Sequence, residues 1–461
     1  MTIKTLPDEA LLEVFEFFVH DTRREGWITL VHVCRRWRCI IFASPLRLNL
    51  KLYCDGSKPV REMLDTWPPL PIVIEDDHCS EEGADNIIAA LEHNDRVHSI
   101  AVYLKGVSGS LLGRLARAMR EPFPQLIYLA LQSADETPLA VPRTFLGGSA
   151  VPLRLCMVDY LPFPALRNLL LSAHYLVRVH LLNIPHSEYI SPKAIVSCLS
   201  AATSLKFLEL RFLSPRSRPN RATRRPPPLT HTILPALTDF HFRGVSEYLE
   251  DFISRVDAPL LDVVNIRLFH QLTFDVSQLH QFISRTEILS ALNIADVVLA
   301  DNYTEVELSQ QTPAHSRPKI SLSIWCNRSD WQLSFQAQAC NSLSPILSTF
   351  ETLIVHENEF RSLRPGWEDD MENSQWLELF HPFTSLKNLY LSEKLVPLVS
   401  PALQHLAEES VTDMLPMLQN LYLNGLQQPS VSIQEGIGQF VAARQLFNHP
   451  MTVIPWDGRP R

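Results

Sequence analysis

The sequence predicts an α/β protein: a small all-helical module at the N-terminus, then an irregular repeat array in which a parallel sheet is backed by outer helices. Two observations predict it. The first 45 residues carry apolar side chains at helical spacing, and beyond residue 95 one strand-like phrase, L-x-x-L-x-L, returns with helix-like segments between its copies. At 461 residues the chain exceeds one compact core. By the usual scale of roughly 100–200 residues per domain it requires several domains or an elongated array.

In LPDEALLEVFEFF (6–18), Leu11, Val14, Phe15 and Phe18 recur at i, i+3, i+4 and i+7, which predicts a helix with one apolar face. Pro7 suits a first turn, where its missing N–H loses nothing, and Asp8 and Glu9 complement the positive end of the helix dipole. After a charged gap, LVHVCRRWRCIIFASP (30–45) places Leu30, Val33, Cys34, Trp37 and Ile41 on one stripe of a second helix. Arg35, Arg36 and Arg38 lie largely off that stripe. RLNLKLYC (47–54) then alternates like a strand. So short a module buries too little area to stand alone. No disulfide or metal spacing staples it, so its apolar stripes imply docking onto another protein or onto the rest of the chain.

The strand phrase is strong at 124–133, 165–173, 204–212, 236–244, 260–269, 385–393 and 418–426. It is weaker at 96–104, 153–161, 288–297, 319–327 and 350–358. Helices are expected between copies. SPKAIVSCL (191–199) offers Ser191 as a cap, Pro192 in the first turn, and Ile195, Cys198 and Leu199 on one face. A helix from Ser246 should bury Leu249, Phe252, Ile253 and Val256, and 275–286 repeats that design with Leu279, Phe282 and Ile283. Strand and helix alternating imply a parallel array whose neighbours stack to cover one another.

Two segments interrupt the pattern. TWPPLPIVIEDD (66–77) has a Pro-rich stop before a short apolar strand, Ile72 to Ile74, expected to cap the open edge. SPRSRPNRATRRPPP (214–228) holds five arginines and five prolines and is expected to be a mobile loop. Its charge fits a solvated spacer, a binder of acidic client segments or a nuclear import signal. In the tail, Ser432 and Glu435 form a capping box, and Ile433, Ile437, Phe440, Val441 and Phe447 predict a closing helix. The expected divisions are 1–50, 51–95, 96–430 and 431–461.

Leu6-Pro7-Asp8-Glu9, then Leu12 and Phe15, then Val31-x-Val33-Cys34-Arg35-Arg36-Trp37 closely resemble the F-box, over about a tenth of the chain. The resemblance implies docking to the Skp adaptor of cullin–RING ubiquitin ligases. Carried over position by position, the contacts are Leu6, Pro7, Leu11, Leu12, Phe15, Val33, Cys34 and Trp37. The array resembles the leucine-rich repeats of F-box proteins in a degenerate form, because the Asn or Cys after the third leucine is mostly missing. The fold thus implied is a helical F-box followed by an irregular leucine-rich-repeat-like solenoid. The function implied is an adaptor that presents an unknown protein client. Arg211, His241, Arg243 and Arg267, polar residues on predicted strands, are the candidate client contacts. A repeat scaffold without a ligase role, its front helices merely capping the array, is the competing reading.

Bulk properties agree with a protein-binding role. The net charge of −9 (41 basic against 50 acidic residues) argues against nucleic acid as the main partner. No apolar run approaches 18 residues and the N-terminus is acidic and amphipathic, so no membrane span or signal is expected, and a cytoplasmic or nuclear location follows. The eight cysteines include no CxxC pair and read as buried or incidental thiols. Nucleophile elbows, phosphate loops and paired zinc spacings do not occur, so neither an enzyme, a cofactor nor a metal is expected. Trp325 and Trp331 are expected to pack at the core or its rim, and the acidic run 367–370 to be a solvated loop.

Overall fold

The computed structural model describes residues 6–456, apart from 22–25, 82, 105–107, 134–143, 149–151, 161–162, 220–230, 272–275, 301, 311–318, 326–328, 359–371, 410–413 and 425–430. Most of the basic loop, the acidic run 367–370 and the side chains of Trp331, Ser432 and Ile433 lie outside the described residues. The chain divides into two compact units, Met1–Glu188 with Ala201–Ser204, and Tyr189–Ser200 with Leu205–Arg461.

The first unit opens with helices Asp8–Asp21, Gly26–Val31 and Arg35–Ala43. The single helix expected across 30–41 is therefore broken. Val33 closes a turn on Leu30, and Cys34 is extended (φ −161°, ψ 166°). Arg38 Nε donates to the Val31 carbonyl at 3.1 Å, which satisfies an orphan acceptor of the second helix from within the third. Six strands follow: β1 (Leu52–Cys54), β2 (Ile72–Cys79), β3 (Val97–Leu104), β4 (Tyr128–Ser133), β5 (Leu155–Asp159) and β6 (Arg178–Ile184). They pair in chain order and all parallel.

Three expectations fail in this unit. The strand read from residue 47 starts only at Leu52, because Asn49 adopts a left-handed conformation (φ 47°) that turns the chain. The segment around Ile72 is not an edge cap, since β2 is flanked on both sides and β1 lies outside it. The phrase at 165–173 belongs to a helix, Phe163–Ser172. There Leu166, Leu169, Leu170 and Ala173 are buried at i, i+3, i+4 and i+7, the helical period winning over the leucine pattern.

The second unit contains β7 (Phe207–Phe212), β8 (Thr232–Ile233), β9 (Asp239–Gly244), β10 (Val256–Asp257), β11 (Val263–Phe269), β12 (Ile294–Leu299), β13 (Tyr303–Ser309), β14 (Lys319–Trp325), β15 (Thr352–Glu357), β16 (Asn388–Leu391), β17 (Asn420–Asn424) and β18 (Thr452–Trp456). The order is β7-β9-β11-β14-β13-β12-β15-β16-β17-β18, with β8 and β10 paired separately. Every neighbour is parallel except at β13, which is antiparallel to both β12 and β14. Val256, expected to end a helix, is in β10. The tail forms the expected helix, Val431–Leu446, but the chain continues into β18 beside β17, so a strand and not that helix ends the sheet.

One local device recurs. Strands are entered through a turn in which the first leucine of the phrase closes on a residue three before it: Leu126 on Phe123, Leu237 on Leu234, Leu261 on Ala258, Leu386 on Phe383 and Leu418 on Leu415. All ten of these side chains are buried. The carbonyl just before the strand then accepts two amides from the next strand's start, as Lys206 does from Thr238 and Asp239, and Lys387 from Gln419 and Asn420. Such turns set the strands they lead into in the same register, which stacks Tyr390 on Tyr422 with ring centroids 4.1 Å apart.

The cap expected at Ser191 forms. Ser191 Oγ accepts from the Ala194 amide at 3.2 Å, with Pro192 in the first turn. Helix Ser277–Ser284 has Val276 at its cap position and no capping side chain of its own. The buried Glu250 carboxylate of helix Ser246–Ile253 replaces it, accepting from the amides of Gln278 (2.6 Å) and Leu279 (3.0 Å). A carboxylate there also faces the positive end of the dipole. Glu250→Ala strands those two amides and should cost about 2–3 kcal/mol of stability, read from denaturant unfolding.

Candidate functional site

Two surfaces carry the candidate residues, one in each unit. In the first unit, Trp27 anchors the front helices to the chain behind them. It is 1% exposed. Its Nε1 donates to the Lys51 carbonyl at 3.2 Å, and its ring meets Trp67 edge-on at 5.2 Å. Arg36 holds the module together, donating to the Leu6 carbonyl (2.6 Å) and pairing with Asp8 (2.6 Å). That pair of bonds brings Leu6 and Pro7 beside the start of helix Arg35–Ala43, so two motif segments separated by some 30 residues in sequence are adjacent in space.

The expected contacts divide by burial. Pro7, Val33 and Cys34 are exposed, and Leu6, Leu12 and Trp37 are half-buried. Leu11 and Phe15 are corrected: both are fully buried, Phe15 against Trp37 at 4.7 Å, so they are the core of the module and not part of its surface. The helical face written as one stripe is thus two. Leu11 and Phe15 point inward, whereas Val14 (55% exposed) and Phe17 (75% exposed) stand in solvent three residues apart, with the half-buried Ala10 one turn before Val14. The sequence signal for this second stripe was present in the same helix, where apolar residues fill more than one face.

In the second unit, Arg211, Arg243 and Arg267 are mutual register partners on β7, β9 and β11 and are all exposed. Neighbouring strands are about 4.8 Å apart, so three guanidinium stems form a row across roughly 10 Å. The structure therefore brings three of the four client candidates together, and His241 sits one pleat below, opposite Glu209 and Asn265. Arg211 pairs with Glu209 at 2.5 Å, and the Arg243 guanidinium lies over the Phe269 ring at 5.4 Å. Burial holds the His241 imidazole below its usual pKa, reinforced by Arg211 and Arg267 and opposed by Glu209 and Asp239. The ring packs at a tilt against Phe207, centroids 4.8 Å apart, at the base of the row.

The row continues with reversed character. Arg267 is opposite Ser323 on β14, and Ser323 is opposite Glu305 on β13; one pleat along, Ser321 is opposite Glu307, and Glu307 is opposite Asp296 on β12. Glu305 accepts from Ser321, and Glu307 pairs with Lys319 at 3.3 Å. Beside them the half-exposed Trp325 ring stacks on Tyr303 at 5.6 Å, which is rim packing as expected. These acidic positions escaped the sequence reading because β13 did, although YTEVELS alternates strictly in burial.

His356 closes the acidic side. Its Nε2 is 3.0 Å from Asp296 Oδ1 and its Nδ1 is 3.0 Å from the Glu357 carbonyl, so only the doubly protonated ring donates to both. Burial pulls its pKa down, but the Asp296 carboxylate and the Glu357 carbonyl together leave it raised.

No protein-family model matches the chain, and no curated protein matches it either. Among the described residues no helix is long and apolar enough to cross a membrane. Five of the described cysteines are buried and two, Cys34 and Cys39, are exposed.

Two outcomes test these placements. Phe15→Ala should cost about 3–5 kcal/mol of stability, as for a buried aromatic. Phe17→Ala should stay within about 0.5 kcal/mol; equal losses in chemical denaturation would contradict the two-stripe helix. Because the folded His356 pKa is raised, its stabilising pair is complete below the ordinary histidine range and is lost as pH rises through the raised value. His356→Gln should therefore lower the melting temperature at about pH 5.5 and leave it nearly unchanged at about pH 9.

Proposed function

We propose that the chain is the substrate-recognition adaptor of a cullin–RING ubiquitin ligase, acting in the cytoplasm or nucleus. Its front helices are an F-box that docks to a Skp-type adaptor, and its strand–helix phrases are degenerate leucine-rich repeats that present a protein client. One observation carries the reading. Trp27 packs the front module against Trp67, yet Pro7, Val14, Phe17, Val33 and Cys34 remain exposed, with Pro7 next to the Leu6 carbonyl that Arg36 holds. Apolar side chains kept in solvent beside a well-anchored core favour a docking surface over a simple cap. The match of Leu6-Pro7 and Val33-Cys34-x-x-Trp37 to the F-box pattern names the partner class.

In this role the chain makes and breaks no bond. It supplies proximity: a client held on one surface and a ligase scaffold on another raise the effective concentration of client lysines near the charged ubiquitin carrier. The client surface is the face bearing Arg211, His241, Arg243 and Arg267.

Co-expression with a Skp-type adaptor tests the reading. A 1:1 complex is expected by size exclusion with light scattering. Val33→Asp together with Cys34→Asp should weaken it at least a hundredfold while the melting temperature of the isolated chain holds, because both positions are exposed. If no complex forms with the wild-type chain, or the double variant binds as well, the chain is a repeat scaffold whose front helices only cap it.

A further inference from the structure

We infer that the open sheet face of the second unit binds an extended peptide segment with a short acidic block followed, about three residues on, by a basic residue. The inference deepens the client half of the reading above and is independent of its adaptor half.

The argument is one of charge order. Arg211, Arg243 and Arg267 lie side by side through direct register pairing, with exposed guanidinium groups. Burial of the alternate residues on the same strands, Leu208 and Leu210, Phe240 and Phe242, Ile266 and Leu268, fixes the arginines on the opposite side. Guanidinium groups are the residues best suited to carboxylate or phosphate oxygens, through paired N–H donors. Arg211 is already paired with Glu209, whereas Arg243 and Arg267 are like charges one strand apart, a repulsion an anionic occupant would relieve. Phe269, against Arg243, and Phe207, against His241, give the row an apolar floor.

The limit on the acidic block comes from the next strands. Ser323 and Ser321 on β14 carry no charge, and beyond them Glu305 on β13 reverses the sign, while Glu307 is paired with Lys319 and Asp296 with His356. From Arg211 to Arg267 is two strand steps, roughly 10 Å, and an extended peptide advances about 3.3 Å per residue. Two acidic side chains at alternate positions, about 6.6 Å apart, fit that row. A further two steps reach Glu305, where a third acidic side chain is repelled and a lysine or arginine is attracted. A carboxylate and a phosphorylated serine share the chemistry the arginines recognise, and the probes below separate them.

The test uses the full chain without any adaptor and fluorescently labelled octapeptides of sequence Glu-Ser-Glu-Ser-Gly-Lys-Ser-Gly, the same peptide with phosphoserine replacing each glutamate, octaglutamate, and a scrambled neutral control. Anisotropy should rise with the first or the second peptide, and whichever binds tighter identifies the anion. Arg243→Glu with Arg267→Glu should weaken that binding at least tenfold, whereas Val33→Asp with Cys34→Asp should leave it unchanged. Octaglutamate should bind several-fold more weakly than the block peptide, and Glu305→Lys should remove that difference. Melting temperatures confirm that the variants fold. Binding no better than the scrambled control, or binding that survives the double arginine reversal, overturns the inference. Octaglutamate binding as tightly as the block peptide refutes the charge order. Because no Skp-type protein is present, failure here leaves the ligase test untouched, and the converse also holds.

Discussion

The leucine turn that leads into β9, β11, β16 and β17 is the constraint on which the register of the second unit depends. A buried leucine closing on a residue three positions earlier fixes where extension begins, and a single carbonyl then serves two amides of the following strand. Because side chains alternate with a period of two, an entry shifted by one residue would send every leucine to solvent and every arginine into the core. The charged row across β7, β9 and β11 and the tyrosine stack of β16 and β17 are both products of that one register.

The front helices are governed by a different economy of contacts. Their area is small for a module that stands alone, and the chain meets this need where Trp27 makes edge contacts with Trp67 and Phe42. Three arginines in one short segment then have distinct tasks. Arg36 joins two helix starts, Arg38 satisfies a helix end, and Arg35 stays in solvent. The mixture of cations with apolar groups in 30–45 thus reflects joints between short helices as well as an amphipathic stripe.

Most strands were legible in the sequence because the leucine phrase reports both the turn and the inward side of the strand. The exceptions are instructive. Residues 165–173 contain the same leucines on a helix, since runs of leucine satisfy either period locally and tertiary burial decides. Strand β6, with Arg178 and His180 among its apolar residues, lacks the leading leucine pair. Asn49 hides a left-handed turn inside an alternating pattern. For the candidate sites, residue type pointed to Arg211, Arg243 and Arg267, but their alignment required the register. Which face of helix Asp8–Asp21 is free could not be read from spacing, because Phe15 and Phe17 differ only in what the rest of the chain places against them.

The hairpin run through β12, β13 and β14 has an evolutionary corollary. Elsewhere a single strand with its helix is a module, and neighbours on either side present edges of the same polarity, so one copy can be duplicated or lost and the seam still closes. Residues 294–325 break that rule: β11 meets β14, while β12 meets β15. Removing β12 or β14 alone would set β13 antiparallel against β15 or β11 in a sheet that is otherwise parallel. The hairpin run thus divides the parallel strands of the second unit into two stretches, β7-β9-β11 and β15-β16-β17-β18.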